Sequence, residues 1–129
     1  MYCRELLIIT NNPQAHTISN VDVLELKGDC IDVIAKALHM VSQGHKLLSH
    51  PLSGSIKPNQ SPYKSLVLTA AMGTIDEASL QILHKSLSQA EEMRLQSFLP
   101  GMRSNFDEDF QVIDHDLLVN AVKSIIESG

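Results

Sequence analysis

Leu6, Leu7, Ile8 and Ile9 form an apolar run with no polar residue between them. A strand wet on one face would alternate, so the run predicts a strand over residues 5–10 buried on both faces. Asn11, Asn12 and Pro13 end it, because asparagine favours turns and proline lacks the N–H that a ladder needs. Residues 21–26 alternate imperfectly, interrupted by Asp22 and Glu25, as expected of a half-exposed strand near a sheet edge. The first helix is then well marked. Asp29 is its N-cap, Asp32 at N3 complements the helix dipole, and Ile31, Ile34, Leu38 and Val41 form one apolar stripe. Gly44 follows as the residue that accepts a left-handed conformation without strain.

Residues 46–49 read as a short strand, residues 50–63 as a loop, and residues 65–70 as a second strand of the buried type. Thr74, Ile75, Asp76 and Glu77 match a capping box that opens a helix running to about Leu99. Its stripe is Leu80, Leu83, Leu87 and Ala90, and Pro100-Gly101 stops it. Residues 101–113 read as a connection carrying the acidic patch Asp107, Glu108 and Asp109. Asp114 then reads as the cap of a last helix with Leu117, Leu118, Ala121, Val122, Ile125 and Ile126 on one side. This order predicts one α/β domain over residues 1–129, with a mixed or parallel sheet of about four strands and about three helices.

Composition excludes several function classes. At 43% apolar content the chain fills one core without a metal or disulfide staple. Cys3 and Cys30 form no C-x-x-C motif and read as reduced thiols of a cytoplasmic protein. A net charge of −5 argues against a nucleic-acid partner, and 4% aromatic content without Trp argues against base stacking. The N-terminus lacks the apolar core of a signal peptide, and no apolar run approaches the ~20 residues of a membrane span. The expectation is a soluble cytoplasmic protein.

The charge is unevenly placed. No Asp or Glu occurs between Asp32 and Asp76, and that run holds Lys36, Lys46, Lys57 and Lys64. Within it, residues 44–64 contain three of the five prolines, four serines, His45 and His50. A basic, hydroxyl-rich loop in an acidic protein suits an anion, a small carboxylate or a phosphate. If the strands run parallel, three loops converge at their carboxyl ends. The candidate ligand site is then Asn11 and Asn12, with Ser49, His50, Ser53, Gly54, Ser55 and Lys57, and Thr74 at the start of the long helix. The plain alternative is a long connection stiffened by Pro51, Pro58 and Pro62, whose polar groups satisfy its own backbone. A protein-docking loop is the third reading.

Catalytic signals are sparse. Ser53-Gly54-Ser55 with Lys57 resembles a phosphate loop in composition only, since G-x-x-x-x-G-K-S/T is absent. The six histidines show no metal-ligand spacing, so no metal is expected. No cofactor fingerprint is present. His50 could serve as an acid or base near the loop serines, but no neighbouring carboxylate orients it and G-x-S-x-G is missing.

The segments ELLIITNNP (residues 5–13) and GHKLLSHPLSGSIKPNQSPYKSLVL (residues 44–68) resemble GrdX-type proteins. These are small proteins encoded with the glycine, sarcosine and betaine reductase systems of amino-acid-fermenting anaerobes. The resemblance covers about a quarter of the chain. It implies a cytoplasmic accessory role beside a thiol- and selenium-dependent reductase, with reductase components as partners, and it supplies no catalytic residues. It marks Asn11, Asn12, His45, Lys46, Ser49, His50, Pro51, Gly54, Ser55, Lys57, Pro58 and Tyr63 as parts of the shared pattern. Three functions remain open on the sequence. They are an accessory protein that binds a small anion, a small enzyme acting on an anionic metabolite, and an interaction module that dimerises through the long helix.

Overall fold

The computed structural model describes residues 6–13, 21–49, 63–97 and 102–128. The elements are β1 (Leu6–Thr10), β2 (Asp22–Glu25), α1 (Cys30–Ser42), β3 (Ser65–Thr69), α2 (Glu77–Ser97) and α3 (Met102–Ser128). They form a mixed three-stranded sheet in the order β2-β1-β3. β1 pairs in parallel with β2, Ile8 opposite Val23, and antiparallel with β3, Thr10 opposite Ser65 and Leu6 opposite Thr69. The apolar run of β1 is therefore the central strand, and β2 is an edge, as the patterns of the two segments predict.

Alternation along β1 and β3 divides the core between the two faces of the sheet. Ile9, Leu66 and Leu68 face α1 and α2, where they meet Val33, Ile34, Ala37, Val41, Leu83 and Ala90. Leu6, Ile8 and Val67 face the other way and are covered by Leu118 and Val122 of α3. The result is a three-layer α/β/α arrangement. Each fully buried leucine or isoleucine contributes roughly 1.5–3 kcal/mol relative to exposure.

The start of α1 is built as the sequence predicts. Asp29 Oδ1 accepts from the Ile31 and Asp32 N–H groups at 3.0 and 3.3 Å, and Asp32 Oδ2 accepts from the Asp29 N–H at 2.9 Å. This reciprocal box satisfies helix-end donors that would otherwise have only water. Asp29→Ala should lower stability by about 1 kcal/mol in urea denaturation.

Three expectations are corrected. The strand expected at residues 46–49 is a single bridge, Leu47 opposite Leu68, so among the described residues the sheet has three strands and not four. The backbone supplies only some of the bonds there, Leu48 N–H to Val67 O and Thr69 N–H to Lys46 O, both 2.8 Å. Side chains add more: Ser49 Oγ accepts from the Val67 N–H at 2.9 Å, and His45 Nδ1 donates to Thr69 O at 2.7 Å. The second correction concerns α2, which begins at Glu77 and is capped by Asp76 rather than Thr74. Asp76 Oδ2 accepts from the Ser79 N–H at 3.1 Å, while Thr74 is exposed ahead of the helix. The third is the largest. Residues 102–113 are not a connection; they are the first half of α3, and Asp114 lies inside that helix instead of capping it.

Candidate functional site

Because β1 and β2 are parallel, their carboxyl ends lie together, beside the N-terminus of α1. β3 starts at the same end, and the middle of α3 reaches it. Polar residues gather here. Thr10, Asn11, Asn12 and Asp114 are buried, and Lys64 and Ser65 are half-buried.

The two asparagines stitch elements together. Asn11 Nδ2 donates to Gly28 O, just ahead of α1, and Asn11 Oδ1 accepts from the Lys64 N–H, both at 2.9 Å. Asn12 Nδ2 donates to Gln111 O at 2.9 Å and to Asp114 Oδ2 at 3.0 Å, both on α3. The Gln111 side chain adds a bond from Nε2 to the Tyr63 hydroxyl at 2.9 Å.

The hydroxyls can be assigned by counting protons. Ser65 has one hydroxyl hydrogen, and it goes to Asp114 Oδ2 at 2.7 Å. Thr10 must then be the donor in its 2.7 Å contact with Ser65, and Thr10 Oγ1 accepts from the Asn12 N–H at 2.9 Å. The chain therefore runs one way, from the Asn12 amide through Thr10 and Ser65 to the Asp114 carboxylate. Bonds aligned in this sense polarise one another inside a protein.

Charge enters from two more side chains. Burial lowers the pKa of Lys64, while the Asp114 carboxylate and then Cys30 pull it back up. Cys30 is the first residue of α1 and is buried. Burial, and next the Asp29 carboxylate, raise its thiol, against Lys64 and backbone N–H groups that lower it. The helix N-terminus thus does not turn Cys30 into a ready thiolate, because desolvation outweighs it.

The sequence-predicted site residues separate. Asn11 and Asn12 are at this end. Ser49 lies alongside Val67, on the outer edge of β3. Thr74 follows the carboxyl end of β3, which is the opposite end of the sheet because β3 is antiparallel to β1. The expected convergence of three loops therefore does not occur. His50, Ser53, Gly54, Ser55 and Lys57 lie outside the described residues. Sequence reasoning missed Lys64, Ser65 and Asp114 as one group. Lys64 carried a signal, since it is one of the four lysines of the acid-free run. Asp114 carried none that set it apart from a helix cap.

Among the described residues no group of three His, Cys, Asp or Glu side chains could hold a metal ion. None of the helices is, in its described residues, long and apolar enough to cross a membrane.

Fold and site together define a small three-layer α/β protein whose polar residues collect at the carboxyl ends of its parallel strands. The family model for GrdX-like proteins matches residues 7–123, nearly the whole chain, and the protein belongs to that family. No curated protein and no solved structure matches it.

Proposed function

We propose that this protein is a cytoplasmic accessory protein of a glycine, sarcosine or betaine reductase system, and that it binds a small carboxylate or phosphate through its basic segment. Membership of the GrdX-like family over residues 7–123 carries the first half of this reading. The acid-free run with Lys36, Lys46, Lys57 and Lys64, in a chain of net charge −5, supports the second. Ligand contacts at Ser49 to Asn59, with Lys57 as the principal cation, are part of the proposal.

A thermal-shift screen tests it. The panel is glycine, sarcosine, betaine, acetyl phosphate, phosphate and common nucleotides. A ligand that binds only the folded state stabilises it by about 2.7 kcal/mol at a hundredfold excess over Kd. Lys57→Ala should change the stability of the free protein by less than about 0.5 kcal/mol and abolish the ligand-induced shift. Unfolding of Lys57→Ala would show the segment to be structural. If no compound shifts the wild-type protein, the anion reading fails, and a pull-down against the reductase components then tests the accessory role by itself.

A further inference from the structure

α3 departs from the pattern of a helix packed on one side only. Leu118 and Val122 are buried against the sheet, so the solvent side should be polar. Instead Val112, Ile113 and Val119 are exposed there, three of the five large hydrophobic residues exposed among those described. The layer that α3 makes is also thin. Among the described residues, α1 and α2 together cover one face of the sheet, and α3 alone covers the other. Val21, Val23, Leu48, Ile125 and Ile126 on that side stay only partly buried.

Three of these apolar residues fall in a line. Val112, Val119 and Ile126 recur every seven residues, which is about 20° short of two full turns. They form one stripe along α3, about 21 Å long at 1.5 Å per residue. A repeat of seven is the spacing at which two helices keep contact by winding round each other. Asp116 and Lys123, also seven apart, border the stripe and are exposed, and neither forms an ion pair among the described residues.

Charge decides what fits this stripe and which way round. The occupant must offer an apolar line bordered by opposite charges at the same spacing. α3 itself offers that when reversed. With a two-fold axis crossing the helix at Val119, that residue meets its own counterpart, and Val112 meets Ile126 of the second copy. Asp116 then lies beside Lys123 of the second copy, and Lys123 beside Asp116 of the second copy. With the two helices parallel, carboxylate would face carboxylate and ammonium would face ammonium, which is unfavourable.

We propose that a second copy of this chain docks on α3, helix against helix and antiparallel, with the two-fold axis at Val119. Such an interface uses the same patch on both copies and closes on itself. The stripe is short, so the dimer is a weak and transient one. It uses α3, not α2, the helix on which the sequence placed a dimer. It goes beyond the ligand reading and does not rest on it.

Sedimentation equilibrium of the full chain tests this from about 1 μM to about 1 mM, the range in which a small interface associates. The mass should rise from one chain to two. Val119→Glu sets two carboxylates against each other at the axis and should weaken the dimer at least about tenfold. Asp116→Lys should weaken it as well, by setting lysine against lysine, and Asp116→Lys combined with Lys123→Asp should restore it. All three positions are exposed, so circular dichroism should show every variant folded like the wild type. If Val119→Glu does not fold, the charge exchange decides by itself. A chain that stays monomeric throughout overturns the proposal. A dimer unchanged by Val119→Glu overturns it too, because its interface then lies elsewhere. A double substitution that fails to restore the dimer overturns the antiparallel register.

Discussion

Asp114→Ala should lower the unfolding free energy by about 2–4 kcal/mol, read from the midpoint of urea denaturation at unchanged slope. The substitution removes the carboxylate on which Asn12 and Ser65 converge, and Asn12 is fully buried. Each donor left without a partner bears its own desolvation cost. The one-way chain from Asn12 through Thr10 and Ser65 also loses its terminal acceptor. Asp114→Asn should cost clearly less. Both donors use the same oxygen, Oδ2, and an asparagine carbonyl can occupy that place. What asparagine cannot replace is the negative charge that Lys64 feels. If alanine and asparagine cost the same, the charge and not the pair of bonds is what holds α3 at this point.

Gly44→Ala should cost a similar amount, about 2–4 kcal/mol, with a fall in Tm as the readout. Gly44 has φ +118, a conformation that side chains with a Cβ rarely adopt. An added Cβ would also lie 2.5 Å from the Gly73 carbonyl oxygen. The obstacle is backbone, so it cannot rotate aside, and the same pair is tied by the Gly73 N–H to Gly44 O bond at 2.9 Å. Gly73→Ala is the control. Its Cβ would meet nothing within 4 Å, so its effect should stay within about 0.5 kcal/mol. A harmless Gly44→Ala would mean that the turn after α1 can re-form in another shape.

These two positions mark what the sequence reveals and what it hides. Gly44 was readable because helix ends have local chemistry: a glycine after an apolar stripe is a stop signal wherever the helix packs. The Asp29–Asp32 box was readable for the same reason, and so was the central place of β1, since only a doubly buried strand lacks polar residues on both faces. Asp114 was misread because an acid before an apolar run has two meanings. It caps a helix that starts there, or it sits inside a longer helix and bonds elsewhere. Its partners, Asn12 and Ser65, are 102 and 49 residues away, beyond any local pattern. The direction of β3 was equally hidden. Side-chain alternation is the same in either direction, yet direction alone decides that Thr74 lies at the far end of the sheet from Asn11.

The segment after Gly44 has a further consequence. A sheet edge with unpaired N–H and C=O groups is a template for any other extended chain. On the β3 side that template is filled by the protein itself, through the Lys46 and Leu48 backbone and the His45 and Ser49 side chains. On the β2 side the strand is only four residues long, and Asp22 and Glu25 are exposed on it. Short, charged edges resist pairing. Among the described residues one edge is covered by neighbouring chain and the other guarded by charge, so a second copy can add a strand to β3 only after residues 45–49 are torn away from it.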